Sequence, residues 1–194
     1  EVDRSTAERD GWPWSIPAVA QLAEEGLALD RGITFLVGEN GSGKSTLIEA
    51  LAVAWGFNAE GGSKNFQFKT FASHSPLHAA LRLTKSTRRA RDGFFLRAES
   101  YFNVATNIED LDREPGFGPK IIESFGGRPL HEQSHGESFL ALLENRLRGK
   151  GLYIFDEPEA ALSPTRQMSM LVRMHDLIAE DSQFIIATHS PILM

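Results

Sequence analysis

The stretch ITFLVGENGSGKSTLIEA, residues 33–50, decides the fold of this chain. The β-branched and apolar run ITFLV predicts a buried strand that ends at Gly38. The apolar residues that follow Lys44 recur at helical spacing and predict a helix over 44–54. Between strand and helix stands the complete pattern G-x-x-x-x-G-K-[ST], from Gly38 to Ser45. A glycine-rich loop in this context is typical of a phosphate-binding loop.

The chemistry of this loop follows from its backbone. Glycines let successive N–H groups converge on one anion, and the helix N-terminus adds partial positive charge. Lys44 is expected to reach the β- and γ-phosphates, and Ser45 to bind Mg²⁺. The sequence therefore predicts ATP and Mg²⁺ as cofactors. The predicted nucleotide-binding residues are Gly38, Glu39, Asn40, Gly41, Ser42, Gly43, Lys44, Ser45 and Thr46.

The composition suits a globular domain of 194 residues, 41% hydrophobic and 24% charged. No apolar run reaches the roughly 18 residues that a membrane span needs. The absence of cysteine excludes disulfides and thiolate metal sites and fits a cytoplasmic location. A net charge of −6 argues against binding nucleic acid with the whole surface. We therefore expect a cytoplasmic protein without a transmembrane segment.

Strand and helix patterns alternate along the chain. Further strands are predicted at 93–98, 152–155 and 183–187, and further helices at 16–27, 102–111 and 164–179. This alternation predicts an α/β fold of the P-loop NTPase kind, with a largely parallel central sheet flanked by helices. The chain is expected to form one domain, residues 1–194, with an irregular insert at about 57–92 and a short helical region at about 100–148.

A pair of acidic residues follows the predicted strand at 152–155, in LYIFDEPEAALSP. Ligands bind at the carboxyl ends of parallel strands, so Asp156 is expected close to the phosphate loop. Asp156 would hold Mg²⁺ together with Ser45, and Glu157 would polarise the attacking water as a general base. The alternative is a solvated acidic turn that caps the next helix.

A histidine ends the last predicted strand, in QFIIATHSP. His189 is expected at the same sheet edge, where it could contact the γ-phosphate or the attacking water. A loop histidine that caps a strand end is the alternative. The predicted catalytic residues are therefore Lys44, Glu157 and His189.

The stretch LHEQSHGESFLALLENRL, residues 130–147, predicts a loop that runs into a helix with one apolar face. The polar start of this helix has two interpretations. A capping box would account for Ser134 and the following Glu137, but it gives no role to Gly136. A backbone anion site that faces outward is the other interpretation.

The order of four motifs, the P-loop, SHGES, FDEPEAALS and THS, resembles that of the ABC-class ATPases. The details look most like the soluble SMC/RecF-like and AAA-type predicted ATPases rather than transporter subunits. The resemblance implies that residues 134–137 form the signature loop, usually written L-S-G-G-Q. Its members here are Ser134, His135, Gly136 and Glu137, of which Ser134 and Gly136 are retained.

The family resemblance also implies a partner and two further contacts. The signature loop of one protomer caps the γ-phosphate bound by another, so a homodimer is expected to close on ATP binding. Glu99, or else Ser100, stands where the family has a glutamine that contacts Mg²⁺. Trp12 and Trp14 are the candidates for stacking on adenine. The short stretch between Glu99 and the signature loop implies a reduced helical subdomain. The sequence ends five residues past His189, which leaves open whether a C-terminal helix or an effector domain follows.

The predicted function is that of a soluble ABC-type ATPase that hydrolyses ATP with Mg²⁺ and acts as a dimer switch. The alternatives are a P-loop kinase of a small molecule and a non-hydrolysing nucleotide-binding regulatory module. The client, protein or nucleic acid, stays unknown. A basic cluster is either a solvated face or a nucleic-acid contact. It consists of Arg82, Lys85, Arg88, Arg89 and Arg91.

Overall fold

A four-stranded sheet, in which every strand runs parallel to its neighbours, forms the centre of the fold. A computed structural model describes residues 1–2, 11–65, 75–87, 89–115 and 118–194. The strands are β1 (Ile33–Val37), β2 (Asp92–Arg97), β3 (Gly151–Asp156) and β4 (Gln183–Thr188). Their spatial order is β1-β4-β3-β2. The predicted α/β class with a parallel sheet is confirmed.

Helices flank both faces of this sheet. In chain order the described α-helices are α1 (Pro17–Glu25), α2 (Lys44–Trp55), α3 (Leu77–Ala80), α4 (Tyr101–Arg113), α5 (His135–Ala141) and α6 (Pro164–Ala179). A π-helical turn, Leu142–Arg146, extends α5, and short 3₁₀ helices lie at Ile121–Phe125, Leu130–Glu132 and Pro158–Ala161. No helix among the described residues is long and apolar enough to cross a membrane.

Alternate residues of the central strands enter two cores. On one face Phe155 of β3 and Phe184 of β4 pack edge to face, with ring centroids 5.7 Å apart, among residues of α4, α5 and α6. On the other face Ile154 and Ile185 pack against Ile48 of α2. Because each central strand is covered on both faces, its sequence is a continuous apolar run rather than an alternation.

The structure differs from the sequence prediction mainly outside the sheet. Several strand and helix bounds shift by one or two residues, and the glycine- and proline-rich stretch before residue 130 contains the helix Ile121–Phe125. Asp112 stabilises that helix, since its two carboxylate oxygens accept hydrogen bonds from the N–H groups of Ile121 (2.6 Å) and Ile122 (2.8 Å). This contact joins residues nine and ten positions apart, so local composition does not reveal it. Residues 66–74 of the predicted insert lie outside the described residues.

The carboxyl ends of all four strands meet at one edge of the sheet. The loop to α2 leaves the end of β1, and the turn with His189 leaves the end of the neighbouring β4. Asp156 ends β3, and Arg97 ends β2 as its partner in register. The topology therefore brings every sequence-predicted motif except SHGES to this edge through strand order alone.

Candidate functional site

The loop between β1 and α2 leaves the N-terminus of a helix open. Gly43 adopts a positive φ of 94°, and a Cβ at this position would overlap the side chain of Ile16, so only glycine fits. No side chain among the described residues caps α2, and its first turn has no acidic residue. Free N–H groups and the helix dipole make this N-terminus a favourable position for an anion.

The side chain of Lys44 lies inside the loop that precedes it. Its buried ammonium group donates hydrogen bonds to the carbonyl oxygens of Gly38 (2.7 Å) and Glu39 (2.8 Å). An ammonium group has three N–H donors, so one donor remains for a ligand oxygen. The loop thus holds its cation at the site where an anion would bind.

Ser45 and Asp156 meet across the boundary between α2 and β3. The hydroxyl of Ser45 donates to Oδ1 of Asp156 at 3.0 Å. Hydroxyl and carboxylate oxygens are ligands that Mg²⁺ prefers, and bonds of about 2.1 Å in an octahedral shell place neighbouring oxygens about 3 Å apart. The donor set and its spacing therefore fit Mg²⁺, as the sequence predicted for these two residues.

Glu157 and His189 lie beside each other at the ends of β3 and β4. Glu157 has a positive φ of 48°, a conformation that is costly for a residue with a Cβ and that is often found at functional sites. Its Oε1 lies 3.8 Å from Nδ1 of His189, and both side chains remain partly exposed. The two predicted catalytic groups are therefore close together and accessible to water.

Glu159 organises the turn that carries His189. The sequence analysis assigned no role to this residue. Its Oε1 accepts hydrogen bonds from the hydroxyl of Thr188 (2.6 Å) and from the N–H groups of His189 (2.8 Å) and Ser190 (3.2 Å). The same oxygen lies 3.3 Å from Nδ1 of His189. The side chain of Glu159 is 7% exposed, so this carboxylate fixes the turn from inside the protein.

The SHGES turn begins α5 with a complete capping box. Ser134 accepts from the N–H of Glu137, while the Glu137 carboxylate accepts from the N–H (2.9 Å) and the hydroxyl (2.6 Å) of Ser134. These hydrogen bonds lower the pKa of Glu137. Unlike α2, this helix N-terminus therefore already carries an anion of its own.

Gly136 has a role within the chain that the capping interpretation did not assign to it. A Cβ at Gly136 would collide with the guanidinium of Arg166 and lie 3.1 Å from the carbonyl oxygen of Ala161. A side chain at this position would require Arg166 to move, so glycine favours the close approach between the start of α5 and the segment after Glu159. Glycine at this position therefore has a packing role within one protomer.

Two family models match different parts of the chain, and each includes part of the site. One model, described as "AAA domain", matches residues 18–109 and so includes the P-loop. Another, described as "AAA domain, putative AbiEii toxin, Type IV TA system", matches residues 126–194 and includes Asp156, Glu157 and His189. Together the two matches support a P-loop ATPase of the AAA/ABC type.

A curated relative supports the same assignment. ABC transporter G family member STR2 of Medicago truncatula is 27% identical to this protein over 172 residues, which are 82% of the chain. The chain spans about a quarter of that relative, 24% of its length. No solved structure matches the chain.

Burial raises the pKa of the Asp156 carboxyl to about 6. The Arg97 guanidinium and the Ser45 hydroxyl oppose this shift, while the neighbouring carboxylates of Glu157 and Glu99 reinforce it. Without a bound cation the ionised form of Asp156 therefore lies in an unfavourable environment, which a cation would relieve.

We expect the nucleotide-free protein to lose stability as the pH rises from about 4 to 6. The pKa of Asp156 is about 6 when folded and about 3.9 when unfolded, so the folded state holds the proton more tightly. The loss amounts to at most about 3 kcal/mol of unfolding free energy. Urea unfolding of Asp156→Asn in metal-free buffer should lack this component. A difference between variant and wild type that does not change with pH would contradict it.

The remaining predicted contacts occupy different positions. Glu99 was predicted as a further metal ligand. Its side chain is 84% exposed, and its Oε2 lies 4.0 Å from Nε of Arg97. The buried hydroxyl of Ser100 donates to the carbonyl oxygen of Glu60. Of the two candidate tryptophans, Trp14 is partly buried and packs against the core beside α2, whereas Trp12 is exposed. Trp12 is therefore the more accessible of the two rings.

The basic cluster is only partly described, because Arg88 lies outside the described residues. Lys85 and Lys64 both place their ammonium groups over the ring of Trp55, at 4.3 and 4.8 Å from its centroid. A cation over an aromatic face is stabilised without any ligand. The nucleic-acid interpretation of this cluster stays a prediction.

Proposed function

We propose that the chain hydrolyses ATP with Mg²⁺ and acts as an ATP-driven dimer switch, in the manner of the soluble SMC/RecF-like ATPases. One observation carries the proposal: the Ser45–Asp156 pair and the Glu157–His189 pair lie at the same sheet edge as Lys44. This edge offers an anion site, a cation site and a base. These are the three elements that phosphoryl transfer to water requires.

Each residue has a distinct role in the proposed reaction. Backbone N–H groups at the start of α2 and the ammonium group of Lys44 bind the phosphates and stabilise their negative charge. Ser45 and Asp156 would hold Mg²⁺, which would neutralise part of the negative charge of the phosphates. Glu157 accepts a proton from the attacking water, and His189 holds that water or the γ-phosphate in line.

Glu159 contributes to this reaction through His189. Because its Oε1 accepts from three donors of the His189 turn, the imidazole position depends on a buried carboxylate. A carboxylate beside Nδ1 favours the tautomer that leaves Nε2 as the acceptor. Glu159 is thus a positioning residue in the proposed mechanism.

Dimer closure requires a rearrangement at the SHGES turn. The family's signature loop offers its hydroxyl and N–H groups to the γ-phosphate of a second protomer. Here the Glu137 carboxylate accepts from those same groups of Ser134. We propose that Glu137 releases Ser134 when ATP on the partner reaches the turn, which makes the capping box a competitor of the dimer.

Glu137→Gln is therefore expected to promote ATP-dependent dimerisation. The substitution removes a negative charge from the helix N-terminus that would face the γ-phosphate. Relief of this repulsion is expected to raise dimer affinity several-fold. Light scattering against protein concentration with Mg²⁺ and ATP, in a Glu157→Gln background, measures this affinity.

Two matched variants define this test. Glu132→Gln removes an exposed carboxylate just before the turn and is expected to leave dimer affinity unchanged. Ser134→Arg, which blocks the turn, is expected to abolish dimerisation. If Ser134→Arg dimerises with the same affinity as the Glu157→Gln background protein, the SHGES turn is only a helix cap and the proposed ATP-driven dimer is wrong.

The occupied capping box also favours a second candidate function. A chain whose signature turn stays closed would bind ATP as a regulatory module without turnover. Phosphate release from ATP alone separates the two functions, because only the hydrolase shows basal turnover. A small-molecule kinase would instead consume ATP only when its second substrate is present.

A further inference from the structure

The predicted Mg²⁺ ligand Asp156 belongs to a ring of four side chains. Its Oδ1 accepts from the hydroxyl of Ser45 at 3.0 Å, and its Oδ2 lies 3.5 Å from Nε of Arg97. Nη1 of Arg97 donates to Oε2 of Glu49 at 2.5 Å. Glu49 lies on α2 four residues after Ser45, which closes the ring.

The ring follows from helix periodicity and strand register. Residues four apart on a helix share one face, so Ser45 and Glu49 both face the strand ends. Arg97 and Asp156 are register partners at the ends of the adjacent parallel strands β2 and β3. Helix α2 therefore contributes Ser45 and Glu49, while β2 and β3 contribute Arg97 and Asp156 at the same height of the sheet.

Burial makes the Arg97–Glu49 pair costly as a purely structural feature. The side chains of Arg97 and Glu49 are 24% and 11% exposed. A second oxygen of Glu49 accepts from the N–H of Ser75 at 3.2 Å. Nε of Arg97 is buried and makes no hydrogen bond within the described part of the chain. Burying two charges costs desolvation that their attraction often fails to repay, so this pair calls for a role beyond stability.

We propose that Arg97 and Glu49 are positioning residues that orient Asp156 toward Mg²⁺. The assignment rests on the proposed function. Arg97 takes Oδ2 and leaves Oδ1 directed at Ser45, where the metal would bind. Partners that hold a ligating carboxylate from behind commonly contribute tenfold to a hundredfold to metal affinity.

Glu49 resolves the difficulty that a cation beside a metal site would repel the metal. Its carboxylate contacts the same guanidinium and balances its charge, so the pair presents almost no net charge to Mg²⁺. Loss of either member therefore weakens Mg²⁺ binding, for different reasons. Without Arg97 the carboxylate of Asp156 loses its orientation, and without the Glu49 charge an unbalanced cation remains beside the metal.

Binding of a fluorescent ATP analogue, with EDTA and across a Mg²⁺ titration, tests the proposal without measuring turnover. The Mg²⁺ midpoint is the Mg²⁺ concentration that gives half of the Mg²⁺-dependent gain in affinity for the analogue. For Arg97→Met we expect this midpoint to rise on the order of 10- to 100-fold. Affinity for the analogue in EDTA should stay unchanged. Glu49→Gln should raise the Mg²⁺ midpoint several-fold, which keeps the test valid if Arg97→Met fails to fold.

The matched control is the ion pair between Arg146 and Asp92. Asp92 begins β2, at the opposite end of this strand from Arg97, and its Oδ2 lies 2.7 Å from Nη1 of Arg146. This pair is buried to a similar degree and lies away from the site. Arg146→Met should lower stability and leave the Mg²⁺ midpoint unchanged. If both Arg97→Met and Glu49→Gln keep the Mg²⁺ midpoint of wild type, the positioning roles are wrong and the proposed function stands. If the affinity of the wild-type protein for the analogue does not depend on Mg²⁺, the proposed function is wrong as well.

Discussion

Glu157→Gln is expected to lower ATP turnover by at least about 100-fold while ATP affinity stays within about twofold of wild type. A general base typically contributes 10²- to 10⁴-fold to a rate, and glutamine keeps the size of the side chain but cannot accept the proton. Glu157 lies next to His189, 3.8 Å away, and partly exposed to water. Steady-state phosphate release and equilibrium binding of ATP together measure the two quantities.

The control for this prediction is Glu144→Gln, which replaces an exposed glutamate on the π-helical turn Leu142–Arg146, away from the strand ends. It should leave both turnover and ATP affinity unchanged. Turnover of Glu157→Gln near the wild-type value would remove Glu157 as the base. A parallel loss of ATP affinity would instead indicate that Glu157 acts in binding.

Lys44→Ala is expected to weaken ATP binding on the order of 100-fold and to abolish turnover. Its ammonium group lies inside the loop, anchored to the carbonyl oxygens of Gly38 and Glu39. A hydrogen bond to a charged group contributes about 1.5–3 kcal/mol, so loss of the one remaining donor to a phosphate oxygen accounts for an effect of this order. Titration calorimetry with ATP measures the affinity directly.

Lys150→Ala is the matched control for Lys44→Ala. Lys150 is exposed and immediately precedes β3, at the amino end of the sheet, so its removal leaves ATP affinity unchanged. Equal affinity for ATP in Lys44→Ala and in wild type would mean that the loop does not bind the phosphates. The functional assignment would then have no support from the P-loop.

The residues at the carboxyl ends of the strands could be predicted from local sequence patterns. The strand ITFLV, the P-loop and α2 follow one another without a break, so their sequence signal needs no distant residue. Helix α6 has the predicted bounds, because Ser163 caps its start by accepting from the N–H of Arg166 and Pro164 fixes the first turn. Parallel strands then bring the P-loop, Asp156 and His189 together through topology.

Residues that act through long-range contacts could not be found in this way. Arg97 reaches Asp156 only through the register of β2 with β3, and Glu49 joins them only because α2 crosses that edge. Glu159 lies in a motif that the sequence reading quoted, yet its three donors come from residues about 30 positions later. The contact of Gly136 with Arg166 depends on how α5 packs against α6.

Light scattering after gel filtration on Glu157→Gln, with Mg²⁺ and ATP and without nucleotide, tests the central claim of an ATP-driven dimer most directly. The proposed mechanism predicts a monomer without nucleotide that becomes a dimer when ATP is bound and not hydrolysed. A monomer in both conditions, with ATP binding demonstrated separately, would contradict the dimer switch. It would leave the SHGES turn as the cap of α5 and the chain as a monomeric nucleotide-binding domain.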